Sequence, residues 1–239
     1  MRRLLTSLFF VLLIMAGLHA QNIEQPFRIG ILFGPAFPVG KFASSGLDSS
    51  KIQSAAKTGI NTTITLAYHF PNSIFGIYAI GSRQQNSVDN KALARTLTPD
   101  YPDTSSLVVN SKPWILWTFL VGPKIEFPLD ASGKFSIEFN IGGGIQQAFV
   151  PDYTITQYYS NGSETGFYWG GSLYPAFCYQ FGSGFNYHVN RHWSLVINAS
   201  YTHSNSDHDY FEYGSTSYPK NFNFPISSLN LLAGISYSL

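Results

Sequence analysis

LNLLAGISYSL, running from Leu229 to Leu239, places Leu229, Leu231, Ala233, Ile235, Tyr237 and Leu239 on one face of a strand and Asn230, Leu232, Gly234, Ser236 and Ser238 on the other. Side chains alternate across an extended chain with a period of two. An apolar face outward over a small, polar inner face is the pattern of a lipid-facing strand in a membrane barrel. The same alternation also suits a soluble sheet whose apolar face covers a core. The rest of the sequence separates the two.

Seven further segments alternate in the same way: 27–37, 58–70, 74–84, 113–127, 134–149, 172–188 and 193–204. In the fifth, Phe135, Ile137, Phe139, Ile141 and Ile145 oppose Ser136, Glu138, Asn140, Gly142, Gly144 and Gln146. The third is ambiguous in phase, since Phe75/Ile77/Ala79 and Ile74/Tyr78/Ile80 both suit an outer face. Short turns at 71–73, 128–133 and 189–192 alternate with long polar connections at 40–57, 85–112, 150–171 and 205–225. Short turns on one side and long loops on the other are the asymmetry of an outer-membrane barrel. Aromatics sort into two belts. Phe27, Tyr68, Phe70, Phe127, Phe135, Tyr187, Trp193 and Tyr237 fall at the short-turn ends, and Trp117, Phe149 and Tyr201 near the others. A ring with a polar tip favours the boundary between lipid and water. The expected fold is therefore all-β, an eight-stranded antiparallel up-and-down transmembrane β-barrel with both ends of the chain in the periplasm. Pro35 and Pro123 fall inside predicted strands. Proline cannot donate to a ladder, so a bulge or a strand end is expected at each.

Composition agrees. Charged residues make up 11% and aromatics 16%, where a soluble domain carries about 25% charged residues. Arg2 and Arg3 precede an apolar run from Leu4 to Met15, and Ala20 precedes a cut before Gln21. That is the layout of a cleaved export signal, too short for a spanning helix. Residues 1–20 are thus expected to be a signal peptide and 21–239 the barrel domain, in a Gram-negative outer membrane. Without Arg2 and Arg3 the chain holds 12 basic and 13 acidic residues, a net charge of −1, and no basic bias points to nucleic acid. Cys178 is the only cysteine, so the chain has no internal disulfide.

GILFGPAFPVGKF, Gly30 to Phe42, ends in a Pro-x-Gly-x-Phe element formed by Pro38, Gly40 and Phe42. With the closing LAGISYSL, it resembles the outer-membrane β-barrel domain family that includes the PorT-like proteins, over essentially the whole mature chain. Leu239 stands where the common barrel ending has an aromatic, and Tyr237 keeps a ring two residues earlier. The resemblance implies an OmpA-type eight-stranded barrel without a peptidoglycan-binding domain, and an accessory role in secretion.

Candidate functional residues are few. Arg28, Lys124, Glu126 and Glu138 share the inward parity and lie toward the short-turn end. Charges in a narrow lumen need partners, so these read as an ionic plug, with a polar gate or proton relay as the sharper alternative. His203, Asp207, His208, Asp209 and Glu212 gather in the last long connection and offer hard ligands to a divalent cation. They lack the fixed spacing of a calcium loop, and a solvated acidic loop facing cation-rich lipopolysaccharide explains them as well. His203 and Ser204 also echo the catalytic pair of lipid A deacylases. As neighbours on a strand they point to opposite faces, beyond the reach a base needs. Cys178 reads as a small core residue. No catalytic residue, resident metal or cofactor is expected. The chain reads as a non-enzymatic integral barrel, structural, binding or secretion-accessory, surrounded by outer-membrane lipid and lipopolysaccharide. It would depend on the barrel-assembly machinery during biogenesis and could engage an unidentified protein partner. A small pore for ions or solutes is the first alternative, and a lipid A-modifying enzyme the second.

Overall fold

The computed structural model describes residues 25–44, 54–98, 104–171, 175–212 and 220–239. It contains β1 (Phe27–Val39), β2 (Gly59–His69), β3 (Phe75–Asn86), helix α1 (Asn90–Leu97), β4 (Thr104–Ser111), β5 (Trp114–Pro128) and β6 (Phe135–Phe149). Then follow β7 (Tyr153–Tyr159), β8 (Glu164–Gly171), β9 (Pro175–His188), β10 (Trp193–Glu212) and β11 (Lys220–Ser238). A 3-10 turn, Gly40–Phe42, follows β1. Strands β1, β2, β3, β5, β6, β9, β10 and β11 pair antiparallel in that order, and β11 returns to β1. This is the expected eight-stranded barrel, with no open edge in its wall.

Outer positions carry Phe33, Phe119, Val121, Ile145, Phe177 and Ile235, all exposed, and Phe177 is 71% exposed. Such a girdle is stable only where the surroundings are apolar. No helix among the described residues is long and apolar enough to cross a membrane. The ambiguous third strand resolves with Phe75 and Ile77 outward and Tyr78 and Ile80 inward. There the latter two pack with Ala67, Leu120 and Cys178. At the short-turn end the rings meet in cross-strand contacts. Phe27 lies 5.1 Å from Tyr68, Phe135 5.1 Å from Tyr187, and Trp193 4.9 Å from Tyr237.

Three expectations need correction. The proline sites hold neither a bulge nor a strand end. Phe33 pairs with Ala233 and Ala36 with Asn230 in one unbroken register, and only the Gly34–Pro35 step is unpaired toward β11. Pro35 stays paired with Ile60 on the other side. Gly122–Pro123 repeats this pattern between β5 and β6 while Pro123 pairs with Ile77. Each proline follows a glycine whose missing side chain admits the neighbouring strand. A Cβ on Gly34 would sit 2.1 Å from the Leu231 carbonyl oxygen, and one on Gly122 1.9 Å from that of Ile141. In the order of the wall the β11–β1 and β5–β6 seams are diametrically opposed. Glycine thus allows tight corners on two facing sides of the barrel.

The second correction concerns the long connections, which are partly ordered. Strands β4, β7 and β8 form a sheet that joins β10 through Tyr210–Gly171, Phe211–Gly170 and Glu212–Trp169. Third, the segment expected as a loop at 205–225 is largely a continuation of the β10–β11 hairpin, paired as far as Tyr210 and Lys220. Together with α1 these strands make a lobe above the barrel. Its core, including Phe42, Leu93, Leu97, Trp114, Ile155 and Ile226, lies across the mouth.

Candidate functional site

The charged layer is a product of strand parity. Residues 28, 124, 126 and 138 all occupy inward positions on β1, β5 and β6, near the short turns. Glu126 and Glu138 are direct cross-strand partners, a like-charge pair that destabilises a sheet on its own. Lys124 bridges them, with Nζ 2.7 Å from Glu138 Oε2 and 3.3 Å from Glu126 Oε2. Arg28 reaches from β1, three strands away around the wall. It donates from one nitrogen to both oxygens of Glu126, at 3.2 and 3.1 Å. All four residues are therefore brought together.

The sequence reading left out four further members of this layer. Ser136 Oγ donates to Glu126 Oε1 at 2.5 Å. Asn186 Nδ2 is within 3.3 Å of Glu126, Ser136 and Glu138. His188 Nε2 lies 3.7 Å from Glu126 Oε1, and its Nδ1 is 2.8 Å from Ser194 Oγ. His69 is 1% exposed, with Nε2 3.1 Å from Glu126 Oε2 but without the alignment of a hydrogen bond. Inward parity flags His69, Ser136 and Asn186, but which groups meet depends on register around the barrel. Glu126 accepts from guanidinium, hydroxyl and amide and contacts an ammonium. Its oxygens are engaged by protein groups, which suits a fixed strut across the lumen.

Above the layer lies a cavity of about 60 Å³, bordered by Tyr78, Asn140, Gln180, Asn198 and Ser236. Tyr78 OH, Asn140 Oδ1 and Ser236 Oγ find no protein partner there, so the chamber suits a few bridging waters. The lobe's apolar core closes the far end. Trp114 is 0% exposed, packs edge-on against Phe42 at 5.6 Å and donates from Nε1 to the Ser54 carbonyl at 3.1 Å. Beside the lobe, Lys112 Nζ lies 2.7 Å from Asp152 Oδ2. That hydrogen bond, aided by Tyr168, holds the Asp152 carboxyl below its ordinary pKa.

Of the five candidate cation ligands only His203 has a described side chain. Asp207, His208, Asp209 and Glu212 lie on β10, and their side chains fall outside the described residues. Register places 203, 207 and 209 at one set of alternating positions and 208 and 212 at the other. Among the described residues no group of three or more His, Cys, Asp or Glu is placed to hold a metal. His203 and Ser204 do separate. Ser204 Oγ donates inward to Gln146 Oε1 at 2.5 Å, while His203 Nδ1 lies 2.8 Å from Ser227 Oγ on the paired strand β11. Only the strand register reveals that cross-strand neighbour. Cys178 is buried in the inner wall.

A family model described as the outer membrane protein beta-barrel domain matches residues 8–227. No curated protein matches the chain. Among solved structures, the outer membrane protein OprG from Pseudomonas aeruginosa aligns at a TM-score of 0.52 with 15% identity, over 90% of this chain and 97% of its own. Neisserial surface protein A aligns at 0.49 with 12% identity, over 89% and 97%. Ail, the attachment invasion locus protein of Yersinia pestis, aligns at 0.43 with 12% identity, over 90% and 99%. At such identities the likeness concerns the fold alone.

Proposed function

The chain belongs to the outer-membrane β-barrel domain family and sits in the outer membrane among its lipids and lipopolysaccharide, and from that premise we propose that it is a non-conducting barrel that anchors a folded binding lobe at the cell surface. The observation that carries this is the double closure of the lumen. The Arg28–Lys124–Glu126–Glu138 layer crosses it at the short-turn end, and the Trp114–Phe42 core covers the other. An eight-stranded wall leaves an interior that side chains fill. What remains for function is the lobe, where α1, β4, β7 and β8 are ordered without contributing to the barrel wall. The partner is a surface-exposed protein or glycan, and the secretion-accessory role implied by the family resemblance is one form of it. Residues 1–20 serve as the export signal, and the barrel-assembly machinery inserts the chain.

Planar-bilayer recording tests this reading. The wild-type protein should give no sustained single-channel steps, and Trp114→Ala alone should give none either, because the ionic layer still crosses the other end. Steady conductance from the wild type would overturn the anchor reading in favour of a pore.

A further inference from the structure

On the outer wall, away from the lumen, three side chains meet in an arrangement that the anchor role does not use. His203 on β10 and Ser227 on β11 are direct cross-strand partners. Ser227 Oγ lies 2.8 Å from His203 Nδ1. Tyr201, two residues before the histidine on the same face, donates its hydroxyl to Ser227 Oγ at 3.3 Å. The imidazole is flanked by rings, nearly parallel to Tyr201 at 6.5 Å and tilted against Tyr179 at 5.2 Å. These contacts restrict its rotation, the task a carboxylate performs in other hydroxyl–imidazole pairs.

Depth supplies the second observation. The rise from Trp193 in the lower aromatic belt to His203 is about 23 Å, at about 3.3 Å per residue and a tilt of about 45°. The apolar band of such a barrel is about 25 Å tall. Among the described side chains of β11 the exposed apolar residues end at Leu229, and the next outward position is Ser227, 8% exposed beside Tyr201 and His203. The pair therefore stands where the acyl chains of the outer leaflet join their polar headgroups, the level of their ester linkages.

We propose that Ser227, His203 and Tyr201 form a hydrolytic site for acyl esters of outer-leaflet lipid. This goes beyond the anchor reading and is independent of it, since the site lies outside the closed lumen. With His203 protonated at Nε2, Nδ1 takes the Ser227 hydroxyl proton as Oγ bonds to the ester carbonyl carbon. The Tyr201 hydroxyl, already at Oγ, donates to the oxygen that becomes negative. Collapse of the tetrahedral adduct breaks the bond to the alkoxy oxygen, which receives the proton from His203 and leaves as the alcohol. Water then attacks the acyl-serine, His203 takes its proton and returns it to Ser227 Oγ, and the fatty acid departs. The balance is ester plus water to acid plus alcohol.

The test uses the full-length protein folded in detergent micelles, with folding of every variant verified by heat-modifiable gel migration. A fluorophosphonate probe should modify the wild type at Ser227, located by peptide mass spectrometry, and should not modify Ser227→Ala. His203→Asn should slow that labelling at least about a hundredfold, the scale of a lost general base. Tyr201→Phe should reduce fatty-acid release about a hundredfold through loss of one oxyanion donor. Parallel arms with mixed micelles of phosphatidylethanolamine or of lipopolysaccharide identify which lipid supplies the ester. A folded wild type that shows no labelling at Ser227, or that releases no more fatty acid in either arm than Ser227→Ala does, overturns the proposal.

Discussion

Glu126 holds the largest share of the ionic layer, and its replacement should be the costliest there. Its side chain is 6% exposed and contacts Arg28, Lys124, His69, His188, Ser136 and Asn186. Glu126→Gln keeps the shape but leaves Arg28 without its carboxylate partner and Lys124 with Glu138 alone. Breaking a buried pair from one side costs about 3–5 kcal/mol, and urea unfolding in liposomes should register a loss of that order. Glu138→Gln should cost less than half as much. Lys124 then still has Glu126, and the like-charge contact between the two carboxylates is relieved. An equal or larger loss from Glu138→Gln would mean that Lys124, rather than Glu126, is the hub of the layer. Parity along each strand marked Arg28, Lys124, Glu126 and Glu138 as inward in the sequence, and His69, Ser136 and Asn186 with them. Their convergence was not legible, because Arg28 and Glu126 meet only through the order and stagger of strands around the wall.

The stability of helix α1 depends on pH through its cap. Asp89 accepts from the Ala92 backbone N–H at 3.1 Å and thereby caps the helix. That hydrogen bond is the main cause holding its carboxyl below the ordinary aspartate pKa, with Lys57 adding to the effect. A carboxyl lowered on folding stabilises the folded form above its unfolded pKa of about 3.9, and the gain is lost as pH falls through the folded value. Hydrogen exchange corrected for intrinsic rates should therefore find α1 amides losing protection as pH falls below about 4. Asp89→Asn should remove that pH dependence, and its persistence in the variant would assign it to another group. The signals for this helix stood in the sequence, with a capping Asp89 before Leu93 and Leu97 at one-turn spacing. Pro99, Asp100, Pro102 and Asp103, which follow at once, carry the stronger signal of a loop. The wall strands were easier to read because lipid imposes the same alternation along most of their length. Strands β4, β7 and β8 answer to a small local core instead. In β4, Val109 is buried while Val108 is exposed, a contrast too short to stand out among serine and asparagine.

For the molecule as a whole, orientation is the first thing to measure. Asn161 lies in the exposed turn between β7 and β8, and Asn72 in the short turn between β2 and β3. A cysteine at Asn161 should react with an impermeant thiol reagent on intact cells, and one at Asn72 only after permeabilisation. Cys178, buried in the inner wall, should stay silent in both. Labelling of both engineered sites on intact cells would contradict the proposed sidedness. The β1–β11 seam adds a consequence in time. Arg28 pairs with Ser238 and Ile29 with Tyr237, and the Leu239 amide donates to the Phe27 carbonyl. Half of the pairing potential of the first strand is thus unmet until the last has emerged from synthesis and crossed into position. Such non-local closure is slow, and until it occurs the sheet has two raw edges able to recruit other chains. Substitutions that delay β11 should therefore harm yield through aggregation in transit, even where the finished barrel loses little stability.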